Sequence, residues 1–311
     1  MIKTAEFVSP KHPDKICDLI ADSVLDAYLA RDRGSRAAVE VMGGHGLIII
    51  NGEVTSHAKP DIKKIARNIV GRKYKVISNL TLQSPEIARS VDSGGAGDQG
   101  IMNGYATSET SSYMPREYEL ARDLCRAIYK IYPYDGKTQV TLDRKKIKAV
   151  VASFQNTASA KLLTLVKKLI KAEEYFINPA GEWRQGGFDA DTGLSGRKLI
   201  IDNYGPEIPI GGGSFSGKDP TKVDRSGAYM ARRIAVDYLK KYKAHEVKVK
   251  LAYAIGHAEP YMAVVCVDGR ARAVTGYDLT PQGIIKFLKL RRPIYARTAV
   301  WGHFGRNFIW G

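Results

Sequence analysis

The stretch GGGSFSGKDPTKVDRS, residues 211–226, joins a glycine-rich loop to a long helix that is predicted to begin at about Lys222. Glycines lack a Cβ, so the backbone can adopt positive φ and bring its N–H groups close to phosphate oxygens. Lys218 and Lys222 add positive charge. Asp219 and Asp224 would repel phosphate unless at least one of them holds a hard cation such as Mg²⁺, which bridges carboxylate and phosphate. The stretch therefore indicates a site for a polyphosphate with its magnesium.

The alternative interpretation of this stretch is a surface loop that leads into a helix, with Asp219-Pro220 as the turn. A P-loop is excluded, because the pattern G-x-x-x-x-G-K-[ST] would end in Lys-Ser or Lys-Thr, whereas this chain has Lys218-Asp219. A phosphate site here is therefore of another kind.

Composition indicates a globular chain with a full core. It has 311 residues, of which 44% are apolar, enough for two or three compact units. No run of 18 apolar residues occurs, and the start, MIKTAEFVSPKHPDK, lacks an apolar h-region, so we expect a cytoplasmic protein without a membrane partner. Cys17, Cys125 and Cys266 lie far apart in apolar patterns, which predicts buried reduced thiols rather than a zinc site or a disulfide framework.

The net charge of +16 raises the question of an anionic partner. An anionic substrate, a nucleic acid and a lysine-rich surface are the three alternatives. Many of the charges are spread over helix-like segments, where solvated faces are typical. No recognised nucleic-acid-binding motif accompanies them, so we expect no nucleic-acid partner.

The first part of the chain mixes helices and strands. Helices are predicted from Pro13, where apolar residues recur at helical spacing, and again over residues 62–70. Strands are predicted at residues 37–42, 46–50 and 76–82, and Asn51-Gly52 is a strong signal for a tight turn. Residues 83–104 are rich in Gly and Ser, which favours either a mobile loop or a ligand-binding loop.

The remainder repeats this mixture. Further helices are predicted near residues 115–132, 160–172 and 281–290, besides the long helix from about Lys222. Further strands are predicted at residues 139–142, 147–154, 198–202, 247–255 and 261–267. We assign three mixed units to residues 1–84, 92–182 and 183–311, between which short segments can be exchanged. Their similar makeup suggests an α+β fold with a threefold internal repeat.

Seven motifs carry a more specific signal when they are taken together. Each alone fits a helix start, a turn or a loop. They are HPDKICDLIADSVLDA (from His12), GAGDQGIMNGYATSET (from Gly95), FINPAG (from Phe176), GLSGRKLIIDNYG (from Gly193), GGGSFSGKDPTKVDRSGAYMAR (from Gly211), YAIGHAEP (from Tyr253) and GHFGR (from Gly302). In this order they closely resemble the S-adenosylmethionine synthetase (methionine adenosyltransferase) family over essentially the whole chain. The resemblance implies three similar α+β domains around a pseudo-threefold axis, and active sites shared between two subunits of a homodimer, or of a tetramer.

The resemblance also implies a reaction. In this family the sulfur of L-methionine attacks C5′ of ATP and expels tripolyphosphate, which is then hydrolysed to diphosphate and phosphate. A thioether carries no proton, so the first step needs no general base. The catalytic demand is to hold the substrates in line and to stabilise the charge that grows on the leaving oxygen.

Site residues for ATP follow from the matched positions. The resemblance places His12 against the leaving O5′, and Asp14 and Asp224 on two Mg²⁺ ions. Five cations would surround the triphosphate: Lys137, Arg197, Lys198, Lys218 and Lys222. Further ATP contacts would come from Asp135, Gly136, Lys137, Asp191 and Ser214. Trp183 stands where the family commonly has Phe, and its larger face should still stack on adenine.

Site residues for methionine and potassium follow in the same way. Glu53 and Gln83 match methionine-binding positions, and Asp191 matches a carboxylate shared by methionine and the nucleoside. Lys222 would lie near methionine, and Asp98 is another carboxylate of the site. Glu40 matches a K⁺ ligand, and a bound cation would explain a carboxylate inside an apolar strand.

Two departures concern length, and two rival functions remain. Residues 88–97 are shorter than the family's usual gating loop, and the stretch between residues 141 and 176 is trimmed, so we expect retained chemistry with altered gating or substrate breadth. One rival is a tripolyphosphatase that has lost methionine activation; retention of Glu53, Gln83 and Asp191 argues against it. The other is a nucleic-acid-binding or scaffold protein, which would have little reason to keep His12, Asp14, Lys137 and Asp224 together.

Overall fold

Three four-stranded sheets, each covered by helices, make up the part of the chain that the computed structural model describes, residues 2–84 and 94–311. The helices are α1 (Pro13–Leu29), α2 (Ile62–Val70), α3 (Arg116–Ile131), α4 (Ser159–Leu169), α5 (Leu199–Asp202), α6 (Val223–Tyr242) and α7 (Pro281–Leu288). The strands are β1 (Ile2–Val8), β2 (Arg36–Gly44), β3 (Leu47–Thr55), β4 (Lys75–Thr81), β5 (Gly100–Thr107), β6 (Gly136–Asp143), β7 (Lys146–Phe154), β8 (Glu174–Ile177), β9 (Gly193–Leu194), β10 (Glu246–Tyr253), β11 (Met262–Val267) and β12 (Arg270–Ala273).

Each sheet contains one strand from another third of the chain. The strand orders are β9-β2-β3-β4, β1-β6-β7-β8 and β5-β10-β11-β12. Thus β1 joins the second sheet, β5 joins the third and β9 joins the first, in a cyclic exchange. No third of the chain completes its sheet alone. The unit boundaries at residues 1–84, 92–182 and 183–311 stay a prediction.

The helices repeat the same arrangement on all three sheets. The long helices pack on the exchanged strand and its neighbour: α1 on β9 and β2, α3 on β1 and β6, and α6 on β5 and β10. A shorter helix packs on each long one, α2 on α1, α4 on α3 and α7 on α6. This repetition confirms the α+β class and the threefold repeat.

One difference between the sheets follows from connection length. Helices α2 and α4 each separate the last two strands of their sheets, and those strands run parallel because a helical crossover returns the chain to the same edge. A tight turn at Asp268-Gly269 joins β11 to β12 instead, so that pair is antiparallel. Helix α7 then follows the sheet rather than interrupting it.

Several sequence-based assignments are wrong. Strand β3 runs through Asn51-Gly52, and the turn lies at His45-Gly46, where both residues adopt the positive φ that a two-residue hairpin turn needs. Residues 199–202 form helix α5 rather than a strand, because a short apolar run does not distinguish the two. Strand β5 begins inside the predicted loop over residues 83–104. Strands β1, β8, β9 and β12 were not predicted.

The cysteine prediction needs one correction as well. All three thiols are free, and Cys17 and Cys125 are buried, but Cys266 on β11 is only partly buried. None of the helices in the described part of the chain has the length and apolar character that a membrane span needs.

Phe7 on β1 ties the three thirds of the chain together. Its buried ring packs edge-on against Tyr118 of α3, with centroids 5.7 Å apart, and stacks on Trp301 near the C-terminus at 6.0 Å. Since β1 comes from the first third, α3 from the second and Trp301 from the last, one side chain fills a junction of all three.

We expect Phe7→Ala to lower the free energy of unfolding by about 3–5 kcal/mol, because it leaves a cavity at this junction. Urea unfolding followed by circular dichroism measures the loss. Ile2→Ala on the same strand is the control; Ile2 is 69% exposed, so its change should stay within about 0.5 kcal/mol. Equal effects of the two substitutions would contradict the prediction.

Candidate active site

His12 caps the N-terminus of α1 and is buried there. Its Nδ1 accepts a hydrogen bond from the Asp14 N–H at 3.2 Å, and Pro13 occupies the first helical position. Burial, followed by the positive charges of Lys198 and Lys137, lowers the pKa of His12 to about 4. The imidazole is therefore neutral at pH 7. Because Nδ1 accepts, the proton resides on Nε2, which is left as a donor.

Asp14 lies in the first turn of α1 and interacts with two cations from the loop after β9. Its Oδ1 accepts the Leu194 N–H at 2.9 Å, its Oδ2 pairs with Lys198, and the Arg197 Nε lies 3.8 Å from Oδ1. Burial alone would raise the pKa of Asp14, but the bonds from Lys198 and the Leu194 N–H outweigh it and lower the pKa. Asp14 is thus an ionised carboxylate next to a neutral histidine.

The loop at residues 193–198 is held by β2 as well as by α1. The Ser195 hydroxyl donates to Glu40 and accepts from the Val41 N–H, and the Gly196 N–H donates to Asp18 Oδ1 at 2.8 Å. Glu40 itself is exposed, because side chains alternate along β2 and it lies on the outer face. Glu40 thus lies in a largely apolar strand, as expected, but its side chain is on the exposed face beside the site.

A second cluster lies at the glycine-rich loop before α6. Lys218 pairs with Asp224 at the start of the helix, and the Gly213 N–H donates to Asp224 at 3.3 Å. Both side chains line an open cavity of about 760 Å³ together with Asp98. The Ser214 hydroxyl of the same loop is buried and forms no hydrogen bond with the described residues.

Gly217 fixes how this loop crosses the N-terminal sheet. Its φ is +83°, and a Cβ there would lie 1.9 Å from the Val39 carbonyl oxygen of β2. Its N–H donates to Asp22 Oδ1 at 2.9 Å. Only glycine fits this close approach, which sets the position of the adjacent Lys218.

Lys222 and Asp219 pair with each other. Asp219 is fully buried and accepts the Ala37 and Thr221 N–H groups, each at 2.8 Å, so it serves as a structural cap rather than an available metal ligand. No hydrogen bond or ion pair among residues 2–84 and 94–311 joins the Lys222 ammonium to Asp14 or Asp224. Of the two carboxylates in the opening stretch, Asp224 is the one that faces the cavity.

Residues of the central sheet lie next to the start of α1. Lys137 on β6 stands opposite Val8 of β1, and the Gly136 carbonyl accepts the Ser9 N–H at 2.8 Å. Asp135 accepts the Gly187 N–H at 2.9 Å, and burial raises its pKa. Because β1 pairs with β6, Asp135, Gly136 and Lys137 lie near His12.

Trp183 anchors to β7, where its Nε1 donates to the Ser153 hydroxyl at 3.1 Å. Gln155, which sequence reasoning missed, lies between Trp183 and Asp135: it accepts the Asp135 N–H at 3.4 Å and donates to the Arg184 carbonyl at 2.7 Å. A glutamine after a strand carries no signal by itself.

The remaining predicted residues lie around these clusters. The Asp191 charge acts on His12, whereas Glu53 is exposed on the outer face of β3. The Gln83 side-chain oxygen is buried and accepts no hydrogen bond from the described residues. Of the predicted gating segment, residues 88–93 lie outside the described residues.

Within one chain the site residues form two clusters. The first contains His12, Asp14, Lys137, Asp191, Arg197 and Lys198, and the second contains Asp98, Ser214, Lys218 and Asp224. Within residues 2–84 and 94–311, no hydrogen bond or ion pair joins a side chain of the first cluster to one of the second. Ser195 and Asp18 were missed by sequence reasoning, although the Asp residues at every fourth position from Asp14 were a visible signal.

Gly217→Ala should lower the free energy of unfolding by about 1–3 kcal/mol more than Gly276→Ala, because the new methyl group collides with the β2 backbone. Gly276 is the matched control: its φ is +85°, and nothing lies within 4 Å of its Cβ position. Thermal or urea unfolding measures both. If the two substitutions cost the same, the close approach at Gly217 is not a constraint.

Family models match the chain from end to end. They are the S-adenosylmethionine synthetase N-terminal domain over residues 1–93, the central domain over residues 93–183 and the C-terminal domain over residues 185–311.

Curated relatives agree with these matches. The S-adenosylmethionine synthase of Brachyspira hyodysenteriae is 40% identical over 372 aligned positions, which cover 99% of this chain and 94% of the relative. That of Clostridium tetani is 40% identical, covering 98% and 94%, and that of Sorangium cellulosum is 38% identical, covering 99% and 86%. The first alignment is longer than the 311 residues of this chain, so the relative carries segments that this chain lacks. The chain belongs to the S-adenosylmethionine synthetase family.

Proposed function

We propose that this chain makes S-adenosylmethionine from ATP and L-methionine, the activity that names its family. The observation that carries the proposal is the neutral, buried His12 beside Asp14, Lys198 and Arg197. A donor and several cations at one point suit a leaving group that gains negative charge as it departs. Two of the eight buried side-chain polar atoms that lack a partner in the described part of the chain, Gln83 Oε1 and Ser214 Oγ, belong to positions assigned to methionine and ATP.

The proposed chemistry makes few demands on proton transfer. The methionine sulfur is a neutral nucleophile, so no residue has to act as a general base towards it. The Nε2–H of His12 would donate to the leaving oxygen of ATP. Lys198, Arg197 and Lys137 would stabilise the negative charge that develops on the triphosphate. Arg197 is free to reach a ligand, since 54% of its side chain is exposed.

The carboxylates at the site fit magnesium held through substrate. Among residues 2–84 and 94–311, no three His, Cys, Asp or Glu side chains converge on one point. Mg²⁺ commonly binds through one or two carboxylates together with substrate phosphates, and Asp14 and Asp224 each offer one carboxylate. Each is paired with a lysine ammonium, Lys198 and Lys218, which would have to turn towards the phosphates for the carboxylate to hold Mg²⁺. When bound, Mg²⁺ would neutralise phosphate charge.

Glu40 is proposed as the potassium ligand. Its carboxylate accepts a hydrogen bond from Ser195 in the loop that carries Arg197, and Lys218 and Glu53 are among the charges that act on it. A monovalent cation here would lie between the two clusters of one chain. The preference for Mg²⁺ and K⁺ rests on the family resemblance and on these oxygen ligands.

A homodimer with shared active sites is proposed from the outer face of the first sheet. Leu194, Met42, Ile49 and Ile77 stand opposite one another across β9, β2, β3 and β4 and form an apolar row. Three of them are 38–41% exposed in the single chain, namely Leu194, Met42 and Ile77. Glu40 and Glu53 lie on the same face. Pairing of two such faces would bury the row and bring together residues of both chains.

The cytoplasmic location, the choice between dimer and tetramer, and the effect of the short gating segment stay predictions. The first relative's alignment spans 372 positions against 311 residues here, so segments of that relative are absent from this chain.

Incubation of the purified chain with ATP, methionine, Mg²⁺ and K⁺ should yield S-adenosylmethionine by mass spectrometry, with release of phosphate. Asp224→Asn should lower kcat by about 10²–10³-fold, because it removes charge from the site. Asp237→Asn on the same helix is the control, since its partners in the described part of the chain are Arg233 and Tyr277, which are not among the proposed site residues. Omission of K⁺ should slow the wild type, as expected for Glu40.

Other outcomes of this assay would favour one of the two rival functions. Phosphate released from added tripolyphosphate without any sulfonium product would favour a tripolyphosphatase. Absence of turnover together with tight RNA binding would favour a nucleic-acid-binding protein.

Met42→Glu should convert the dimer to a monomer of 34.3 kDa in sedimentation velocity, because it places charge in the apolar row. Leu169→Glu is the matched control; Leu169 is similarly exposed but lies on α4, away from that row. A Met42→Glu variant that sediments as the wild type does would exclude this face as the interface.

A further inference from the structure

Helix α1 carries a carboxylate at every fourth position of one face, namely Asp14, Asp18, Asp22 and Asp26. We call these four residues the carboxylate ladder. Each accepts backbone N–H groups from the last third of the chain: Leu194, Gly196, Gly217, and Tyr295 with Ala296, all at 2.8–2.9 Å. Three separate segments, at residues 194–196, 217 and 295–296, are therefore attached to one helix.

The ladder fixes distances between loops because its scaffold is rigid. An α-helix rises 1.5 Å per residue, so successive rungs stand about 6 Å apart along the axis. The rung Asp18 holds the loop that carries Arg197 and Lys198. The next rung, Asp22, holds the loop that carries Lys218. The spacing between the two cationic loops is thus set by the spacing of two carboxylates.

Asp18 is the rung best placed to act on the site. It is fully buried, and its Oδ1 accepts the N–H of Gly196, the residue directly before Arg197. Its Oδ2 accepts from Lys15 at 2.9 Å, and Lys15 also pairs with Asp202. Within residues 2–84 and 94–311, Asp18 forms no hydrogen bond or ion pair with a side chain assigned to the reaction. Without Asp18, Lys15 would still be paired with Asp202, so Asp18 can be replaced without leaving a buried charge unpaired.

Asp22 and Asp26 serve differently. Asp22 grips the buried Arg225 with both oxygens, at 2.7 and 2.8 Å, so its removal would leave an unpaired buried charge and damage the fold. Asp26 accepts two N–H groups at 2.9 Å from residues 295 and 296, a segment that carries none of the predicted site residues. Asp26 therefore offers a control with the same chemistry on the same helix.

We propose that Asp18 is a positioning residue: through the Gly196 N–H it holds the loop that presents Arg197 and Lys198 to the triphosphate. This inference rests on the proposed function, and it extends that function to a residue outside the substrate contacts. Loss of the rung should leave the cations present but misplaced. A displacement of about 1 Å in such a loop is enough to cost about a hundredfold in rate.

The test compares Asp18→Ala, Asp18→Asn and Asp26→Ala in the full-length chain, at a temperature where circular dichroism shows each to be folded. Asp18→Ala should lower kcat about a hundredfold and weaken tripolyphosphate binding in calorimetry. Asp18→Asn keeps an oxygen that can accept the Gly196 N–H, so its kcat should be about tenfold higher than that of Asp18→Ala. Asp26→Ala should stay within about threefold of the wild type in both measurements. If Asp18→Ala does not fold, Asp18→Ser replaces it, since its hydroxyl is too short to reach Gly196.

The two hypotheses fail in different ways. A wild-type chain that makes no S-adenosylmethionine would reject the proposed function, while tripolyphosphate binding would still test the positioning role. The positioning role would be overturned if Asp18→Ala and Asp26→Ala lost kcat and tripolyphosphate binding to the same extent for the same decrease in melting temperature. A merely structural rung predicts that pattern. The same conclusion follows if Asp18→Asn is as impaired as Asp18→Ala in tripolyphosphate binding.

Discussion

The buried ion pair between Asp22 of α1 and Arg225 of α6 is the interaction on which the rest of the structure depends. Neither side chain is exposed, and the guanidinium also donates to the Lys218 carbonyl and the Thr298 hydroxyl, each at 3.0 Å. Loss of one partner of such a pair costs about 3–5 kcal/mol, because the other charge is left unpaired. This single contact connects the first helix, the glycine-rich loop, the last long helix and the C-terminal segment.

The ion pair lies in a fold in which the three sheets exchange strands. Each sheet borrows its outer strand from another third of the chain, so the thirds fold around one another rather than beside one another. The candidate site depends on this arrangement: His12 comes from the first third, Lys137 from the second and Lys198 from the last. Their charges act on one another. Burial is the main cause of the lowered pKa of His12, and the positive charges of Lys198 and Lys137 lower that pKa further. A histidine kept neutral beside several cations is suited to donate a hydrogen bond without adding a further positive charge.

Much of the fold could be predicted from the sequence, since long amphipathic patterns reveal helices α1, α3 and α6, and alternation reveals β2, β6, β7, β10 and β11. Short elements could not. The run before Asn203 became a helix, and β9 pairs through only two residues, because tertiary contacts rather than local preference decide such segments. In the site, His12, Asp14 and Asp224 were predicted together with their motifs. Ser195, Gln155 and Asp18 were missed, because each acts through a partner that is distant in sequence.

By itself, the sequence determined the family, the reaction it implies and the set of charged residues, since motifs of that length are specific and residue types dictate which chemistry is possible. Only the tertiary structure decided which charges meet. It assigned Asp219 to a structural cap and Asp224 to the cavity, although the two lie only five residues apart in sequence. It placed Glu40 on an exposed face, and it separated the site residues into two clusters. Such pairings depend on backbone N–H groups and cations brought in from strands and loops far along the chain, and no local pattern encodes them.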